Sequence, residues 1–280
     1  MNNVIEVHNL NKKYDTFQLK NISFSIPEGC IVGFVGLNGQ GKTTTIKTLL
    51  GLSKKDSGKV KIFGKDFDSN EKEIKSDLAV VFDDGYLYDS LKMKEMKNIV
   101  AGAYPSWDEK EYKNYIKKFS LDENQKIATL SKGMKMKFAL ALALSHHAKF
   151  IIMDEPTSGL DPLIRKELSK ILSDYMNKDG LGVFYSTHIT SDLDTFADII
   201  IMINQGEIVF VEDKDTLLDR HRIVKGDKNE LNKEIESLFV KLEQNNYGFT
   251  GITNAYEELK CIKPDFVFEK ATVEDIMLSY

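Results

Sequence analysis

The fold of this chain is decided by Gly36-Leu37-Asn38-Gly39-Gln40-Gly41-Lys42-Thr43, which fits the pattern GxxxxGK followed by Ser or Thr. In such a loop, consecutive backbone N–H groups wrap a polyphosphate, the lysine reaches the terminal phosphates and the last hydroxyl coordinates Mg²⁺. Residues 30–35 form an apolar run that predicts a buried strand, and apolar side chains on one helical face follow the loop until Gly51. This order of strand, loop and helix predicts that the chain binds a nucleoside triphosphate at the helix N-terminus.

Length and composition limit the classes of protein to consider. The chain has 280 residues and a formal net charge of -5 at pH 7, which predicts one main domain with an accessory unit and argues against a nucleic-acid partner. The first residues lack the pattern of a secretion signal, and no stretch reaches the roughly 18 apolar residues of a membrane span. We therefore expect a soluble intracellular chain. Its two cysteines, Cys30 and Cys261, provide neither a disulfide framework nor metal-ligand spacing.

Polar and apolar residues alternate ahead of the phosphate loop, as they do in strands with one buried face. The apolar positions are Ile5, Val7, Ile22, Phe24 and Ile26. They predict an antiparallel flap. Residues 11–15 between its strands have the composition of a turn, and Tyr14 in this turn either stacks on a nucleotide base or caps the core.

The middle of the chain, about residues 86–147, predicts a helical insert. Met93, Met96, Ile99 and Val100 recur at helical spacing. Ser106 and Glu109 have the spacing of a capping box ahead of a second helix. The apolar positions of that helix are Tyr112, Tyr115, Ile116 and Phe119. The Met and Tyr side chains either fill the core or form a docking surface for another helix.

A further helix start follows at Leu130-Ser131-Lys132-Gly133-Met134, ahead of a heavily apolar helix body. Ser131 is a natural N-cap for this helix. The helix N-terminus also suits an anion, so Ser131 either caps the helix only or also helps to bind one.

Two carboxylates stand at the end of an apolar run. Residues 150–153 predict a buried strand, and Asp154 and Glu155 follow at its carboxyl end, where open α/β sheets bind their ligands. We expect Asp154 to hold the Mg²⁺ that Thr43 also contacts, and Glu155 to polarise the attacking water.

A second apolar strand, residues 183–185, is followed by His188 at the same ligand-facing end. This position makes His188 a candidate sensor of the γ-phosphate. Residues 199–203 and 208–211 then flank Asn204-Gln205-Gly206, which predicts a closing hairpin.

Together these segments resemble the nucleotide-binding subunit of a bacterial ABC transporter of the export type. The matching segments, over residues 4–211, are the phosphate loop, the signature-like residues 130–134, the Asp154-Glu155 pair, Ser158-Gly159-Leu160-Asp161 and His188. The resemblance implies an α/β fold: a P-loop NTPase (RecA-like) core with an antiparallel β flap, a helical insert subdomain and a small C-terminal α+β accessory unit. The implied domains are residues 1–211 and 212–280.

The resemblance also implies a set of site residues for ATP and Mg²⁺. Glu155 and His188 would be catalytic, and Thr43, Asp154 and Asp83 would hold the metal. The residues implied to contact the nucleotide are Tyr14, Gly36, Leu37, Asn38, Gly39, Gln40, Gly41, Lys42, Thr43, Thr44, Ser131, Gly133, Asp154 and Asp161. In this family Tyr14 corresponds to the aromatic residue that stacks on adenine, and Asp161 belongs to a loop that communicates between paired sites.

Two positions depart from the family pattern. Lys132 stands where the third signature residue is normally glycine, so its side chain either folds away or adds charge to a phosphate site. Asp83 is the nearest counterpart of a glutamine that normally links Mg²⁺ to the membrane partner, and a carboxylate can also ligate Mg²⁺.

The implied mechanism is a sandwich in which two nucleotide-binding subunits enclose two ATP molecules, each held by one subunit's phosphate loop and the other's Ser131 helix. Closure would pull on a multi-helix membrane permease, which places the chain at the inner face of the cell membrane. The two subunits would be either identical or different. Two other functions stay open: a soluble ATP-driven switch that acts on a non-transport partner, and a general P-loop phosphotransferase or GTPase.

The last part of the chain, from residue 212 onward, predicts a small α+β unit packed on the main domain. Ile235, Leu238, Phe239 and Leu242 have helical spacing, residues 266–268 form a short apolar run, and Thr272 opens a final helix. Regulation, dimer bracing and simple packing are all compatible with this pattern.

Overall fold

A computed structural model describes residues 2–83, 86–177 and 182–280 of the chain. The strands are β1 Asn3–Lys13, β2 Gln18–Pro27, β3 Cys30–Val35, β4 Ser57–Ile62, β5 Lys65–Asp66, β6 Leu78–Phe82, β7 Phe150–Asp154, β8 Gly182–Thr187, β9 Ile199–Asn204, β10 Glu207–Asp213, β11 Arg222–Gly226, β12 Phe239–Asn245, β13 Gly248–Thr253 and β14 Val267–Lys270. The helices are α1 Lys42–Leu49, α2 Phe67–Ser76, α3 Met93–Ala103, α4 Glu109–Lys118, α5 Lys132–Leu144, α6 Pro162–Met176, α7 Ser191–Phe196, α8 Lys214–Arg220, α9 Lys233–Glu236, α10 Tyr256–Ile262 and α11 Val273–Met277.

The central sheet has the strand order β10-β9-β3-β8-β7-β6, with β10 antiparallel to β9 and the other pairs parallel. Strand β3 is buried on both faces, as its apolar run predicts. Ile31 and Val35 join the core that contains the insert helices, whereas Val32 and Phe34 join the core formed with α1 and the flap. The ends of β3, β6, β7 and β8 meet at one edge of this sheet, which brings the residues that follow them together.

The predicted flap is confirmed, with one change in its boundaries. Strands β1 and β2 pair antiparallel, and β4 and β5 extend the same sheet. The turn-like composition of residues 11–13 is misleading, because these residues belong to β1, where Lys12 pairs with β2 and Asn11 pairs with β4. Tyr14 follows the end of that strand.

The insert contains α3, α4 and α5, and its second helix begins differently from the prediction. Asp108, not Ser106, is the N-cap of α4, and its carboxylate accepts the backbone N–H groups of Lys110 and Glu111. The Ser106 hydroxyl instead donates to the carbonyl of His146 at 2.7 Å. The Met and Tyr side chains fill the core: Met93, Met96 and Tyr112 are buried, and Tyr115 is partly buried against the same cluster, whereas Ile99 on α3 is 54% exposed.

The last part of the chain forms an antiparallel sheet of order β12-β13-β11-β14 over its own small core. The helix predicted through Phe239 and Leu242 is wrong, because both residues lie in β12. This unit packs on the central sheet through Tyr280, whose carbonyl accepts the Asn204 amide at 2.9 Å and whose ring meets Phe210 edge-on. The domain division at residue 212 stays a prediction, and β10 runs across it.

Within the described ranges, every helix is too short or too polar to cross a lipid bilayer.

Candidate nucleotide site

The phosphate loop lies between β3 and α1, and two of its glycines are required by close contacts. A Cβ atom at Gly36 would lie 2.4 Å from the carbonyl oxygen of Ile203. Gly41, the N-cap of α1, has a φ of +112°, and a Cβ there would lie 2.7 Å from the Phe17 ring. Larger residues would therefore displace the hairpin or the flap from the loop.

The rest of the loop is exposed at its tip and anchored at Gln40. Leu37, Asn38 and Gly39 are exposed to solvent. The Gln40 side-chain oxygen accepts the N–H of Gln205 at 2.5 Å, and its carbonyl accepts the N–H of Gly206 at 3.1 Å. The β9–β10 hairpin thus fixes one side of the loop while its tip stays open to a ligand.

Lys42 is buried at the start of α1, with 5% of its surface exposed. Its ammonium donates to the carbonyl oxygens of Gly36 at 2.7 Å and Leu37 at 3.2 Å, and it lies 3.0 Å from Glu155 Oε1. A buried cation requires such partners, because desolvation of an unpaired charge costs several kcal/mol. The ammonium group is therefore held directly over the loop that is predicted to bind phosphates.

Glu155 connects Lys42 to His188. Its Oε2 atom lies 2.6 Å from His188 Nδ1 and 3.3 Å from the His188 backbone N–H. Glu155 has a φ of +51°, a backbone conformation that is uncommon for a residue with a side chain, and it is held there by bonds from its N–H to the carbonyl and hydroxyl of Ser186. Such conformations concentrate at functional sites.

Asp154 is buried beside Glu155, and its Oδ1 accepts the Ser186 hydroxyl at 2.6 Å. Burial raises the pKa of the Asp154 carboxyl, and hydrogen bonds from Ser186 and Thr43 oppose that shift. The structure thus brings Thr43 and Asp154 together, as predicted. Ser186 was missed, because a serine on a strand carries no spacing signal of its own.

The residues around Asp154 suit a cation whose remaining ligands come from elsewhere. In the parts of the chain that are described, no group of three or more His, Cys, Asp or Glu side chains could hold a metal. Mg²⁺ normally keeps several waters and binds one or two carboxylates together with substrate phosphates. One hydroxyl and one buried carboxylate beside a phosphate loop fit that requirement.

A cleft of about 490 Å³ opens beside the phosphate loop, and Tyr14, Phe17, Thr44 and Glu155 are among its lining residues. Tyr14 is 44% exposed, so it does not cap the core. Its hydroxyl is 2.7 Å from the hydroxyl of Ser53, beyond the end of α1, and Lys12 Nζ lies 5.1 Å from the centre of its ring. The sequence did not predict the contact with Ser53, because that residue lies 39 positions from Tyr14 and outside the motifs.

The signature-like segment forms a second arrangement, at the start of α5. Ser131 caps the helix by accepting the N–H of Met134 at 3.2 Å. Lys132 Nζ lies 2.6 Å from Asp83 Oδ1. Gly133 packs against Ile164, since a Cβ there would lie 3.3 Å from that side chain.

Asp161 caps the neighbouring helix α6, where its carboxylate accepts the N–H groups of Leu163 and Ile164 at 3.0 Å. Between described residues, no hydrogen bond or ion pair joins Ser131, Gly133 or Asp161 to the phosphate loop. The structure thus separates the predicted site residues into two groups, one around Lys42 and one around Ser131.

Comparison with known proteins points to one family. A family model described as ABC transporter matches residues 19–158. The bacitracin transport ATP-binding protein BcrA of Bacillus licheniformis is 32% identical over 225 residues, which cover 79% of this chain and 74% of that protein. The lantibiotic transport ATP-binding protein SrtF of Streptococcus pyogenes is 29% identical over 215 residues, with coverage of 76% and 92%.

Solved structures agree with these relatives. The ATP-binding subunit of an ABC transporter is 28% identical, has a TM-score of 0.70, and the match covers 77% of this chain and 92% of that chain. An ATP-binding cassette solved as a dimer in a post-hydrolysis state, bound to ADP and Pi, is 25% identical with a TM-score of 0.67 and coverage of 75% and 98%. Sequence and fold comparisons therefore lead to the same conclusion.

Proposed function

The chain belongs to the ABC transporter family as an ATP-binding subunit, and we propose that it hydrolyses Mg-ATP at the Lys42 site to drive export through a separate membrane subunit. The observation that carries this proposal is the continuous contact from Lys42 through Glu155 to His188 beside the phosphate loop. A cation for phosphates, a carboxylate for water and an imidazole that holds the carboxylate are the groups that phosphoryl transfer to water needs.

Binding of the triphosphate changes the partners of Lys42. The ammonium group exchanges Glu155 for phosphate oxygens, so that the Glu155 carboxylate becomes free to accept a proton from water. The water oxygen then attacks the γ-phosphorus and ADP leaves with the electron pair of the broken bond. His188, at 2.6 Å from Glu155 Oε2, keeps the carboxylate in place during the reaction.

Thr43 and Asp154 would hold Mg²⁺, which neutralises charge on the β- and γ-phosphates when bound. Asp154 is suited to this role, because its carboxylate is fixed by Ser186 and points to Thr43. Tyr14 would stack on adenine at the open side of the cleft.

The Ser131 group would serve the ATP held by a second subunit. It lies at an exposed helix start that, among the described residues, has no hydrogen bond or ion pair to the phosphate loop of its own chain, and a related cassette was solved as a dimer bound to ADP and Pi. Ser131 and Gly133 would face the γ-phosphate across the interface, and Asp161 would contribute to the same interface. A site built from two chains makes hydrolysis depend on dimer closure.

Complementation between two inactive variants tests this arrangement. In Lys42→Met the phosphate loop is impaired, and in Ser131→Phe the α5 start is blocked, so each variant alone should be inactive. Random pairing in an equal mixture makes half of the dimers mixed, each with one intact site, which predicts about a quarter of wild-type turnover. If the mixture shows no ATP turnover while the wild-type chain is active in the same assay, the site is not built from two chains.

The proposed partner is a multi-helix membrane permease, and the chain would bind it from the cytoplasmic face of the membrane. Two relatives carry transport of bacitracin or lantibiotic in their names, which supports a transport role. Purification of the chain from detergent-solubilised cells, followed by mass spectrometry, should recover a membrane protein in stoichiometric amount. Recovery of a soluble partner instead would favour the alternative, an ATP-driven switch outside transport.

A further inference from the structure

The two residues that depart from the family pattern contact each other. Lys132 is the first residue of α5 and Asp83 follows the last residue of β6, and their charged atoms lie 2.6 Å apart. Asp83 Oδ1 is buried, and among the described residues its charged partner at this contact is the Lys132 ammonium, so the two residues form an ion pair. The two side chains are 38% and 29% exposed.

The Lys132 side chain also passes beside Gly159, in the loop after β7. A Cβ atom at Gly159 would lie 3.4 Å from both Cδ and Nζ of Lys132. Gly159 has a φ of +67°, which favours glycine, and the open surface above it lets the lysine stem pass. The α5 start, the end of β6 and the loop after β7 therefore meet at one lysine.

Strand register places this contact beside the hydrolytic carboxylate. Phe82 of β6 pairs with Asp154 of β7 in parallel register, so Asp83 and Glu155 are the next residues at the same sheet edge. The ion pair thus joins the start of α5 to the edge that carries Glu155. A shift of α5 relative to this edge would change where Ser131 lies.

Electrostatics explains why each residue needs the other. A lysine at the first position of a helix stands at the positive end of the helix dipole, and the first turn of α5 contains no acidic residue. Asp83, for its part, has a buried Oδ1 atom whose negative charge the Lys132 ammonium balances at 2.6 Å. The Asp83 carboxylate thus offsets the repulsion between Lys132 and the helix dipole, and the Lys132 ammonium balances the charge on the buried oxygen of Asp83.

We propose that Lys132 and Asp83 form a positioning pair that holds the α5 start, with Ser131 and Gly133, against the sheet edge of Glu155. This inference rests on the proposed ATPase function. While the pair is intact, Lys132 is not a phosphate ligand and Asp83 is not a metal ligand. Their contribution is to the placement of Ser131.

A set of four variants tests the pair: Lys132→Met, Asp83→Asn, the two combined, and the exchange Lys132→Asp with Asp83→Lys. Each single change should lower kcat about two- to fivefold, as expected for a partly exposed ion pair. The combined variant should be no worse than either single one, and the exchange should recover most of the loss. The KM for ATP and the Mg²⁺ concentration for half-maximal activity should not change. Lys135→Met is the matched control: Lys135 lies on the same helix as Lys132 and pairs with Asp89 outside that helix, so its loss should leave kcat unchanged.

Three outcomes overturn the inference. A raised Mg²⁺ requirement in Asp83→Asn alone would make Asp83 a metal ligand. Loss of ATP-dependent dimerisation in Lys132→Met, but not in Asp83→Asn, would make Lys132 a phosphate ligand. If the variant with both charges exchanged, Lys132→Asp with Asp83→Lys, does not recover kcat, the two residues do not act as a pair.

A measurement without ATP separates this inference from the proposed function. Amide hydrogen exchange of residues 131–136 should be faster in both single variants of the nucleotide-free chain and return toward wild type in the exchange variant. If wild-type chain shows no ATPase activity, the proposed function fails while this measurement still judges the pair. If the amide hydrogens of residues 131–136 exchange at the wild-type rate in both single variants, the ion pair does not hold the start of α5.

Discussion

Helices α1 and α5 both begin with a lysine that pairs with a carboxylate at the same edge of the central sheet, but the two lysines differ in burial. Lys42 is 5% exposed and lies between loop carbonyls and Glu155, whereas the Lys132 side chain is 38% exposed and lies on Asp83. In the first arrangement, a buried lysine, a phosphate loop and a carboxylate meet within one chain. In the second, the start of α5 has no hydrogen bond or ion pair to the phosphate loop within the described part of the chain.

The difference shows that the residue type and its place in a helix do not determine what the residue does. Removing one partner of a buried ion pair typically costs about 3–5 kcal/mol, whereas a partly exposed pair contributes about 0.2–1 kcal/mol. Lys42 is therefore expected to dominate ATP binding and turnover. Lys132 is expected to adjust the placement of a neighbouring helix.

The same substitution at the two lysines gives the largest expected contrast. Lys42→Met removes the cation from the phosphate site and should lower turnover about 10²- to 10³-fold, the usual loss for one electrostatic contact to the reacting group. Lys132→Met should keep ATP affinity within about twofold, because its partner is a carboxylate of the same chain. Titration with a fluorescent ATP analogue measures the ATP affinity of both variants, and a phosphate-release assay measures their turnover. Equal losses of ATP affinity in the two variants would contradict the different roles assigned to the two lysines.

His146, just beyond the C-terminal end of α5, should make the stability of the protein depend on pH. Burial lowers the pKa of His146 from 6.5 to about 4, while hydrogen bonds with backbone groups of His146 and Ser76 oppose the shift. The folded state thus disfavours the protonated imidazole, so stability is complete above pH 6.5 and is lost as the pH falls from there to about 4. The free energy of unfolding should fall by about 3 kcal/mol at most over this interval.

Urea unfolding of wild type and His146→Gln between pH 4 and 7 measures this effect. The variant has no imidazole to protonate, so its unfolding free energy should vary less with pH than that of wild type. His147→Gln is a suitable control, because His147 is an exposed neighbour that pairs with Asp108. A steeper pH dependence in His146→Gln than in wild type would contradict the assignment.

The smallest expected effect concerns the ring that would stack on adenine. Tyr14→Phe and Ser53→Ala each remove one half of the 2.7 Å hydroxyl contact that holds the ring. Each should raise the KM for ATP about two- to fivefold with unchanged kcat, since one hydrogen bond contributes about 0.5–1.5 kcal/mol. The combined variant should match the single ones. Tyr247→Phe, at a fully exposed position, is the control. Additive losses would show that the two hydroxyls act separately.

The residues around Lys42 could be predicted because their geometry is local. A strand, a glycine loop and a helix start determine where Lys42 and Thr43 lie, and a strand end determines the place of Asp154 and Glu155. Each place is determined by its own short segment, and the parallel strands of the central sheet then bring these segments together at one edge.

Contacts between distant segments could not be predicted in this way. Tyr14 meets Ser53, and Lys132 meets Asp83, only after the flap and the insert have packed on the central sheet. Spacing also misled where it was ambiguous. Phe239 and Leu242 have a spacing that suits a helix, but pairing of β12 with β13 outweighs that local preference.

ATP binding and phosphate release, measured side by side on wild type and Glu155→Gln, test the central claim most directly. Because Gln cannot accept the proton from water, we predict that the variant binds ATP at least as tightly and releases phosphate at least about 100-fold more slowly. Glu167→Gln, which removes a carboxylate paired with Lys137 at a distance from the nucleotide site, should behave as wild type. Phosphate release from Glu155→Gln at nearly the wild-type rate would contradict the assignment of Glu155 and with it the account of this site.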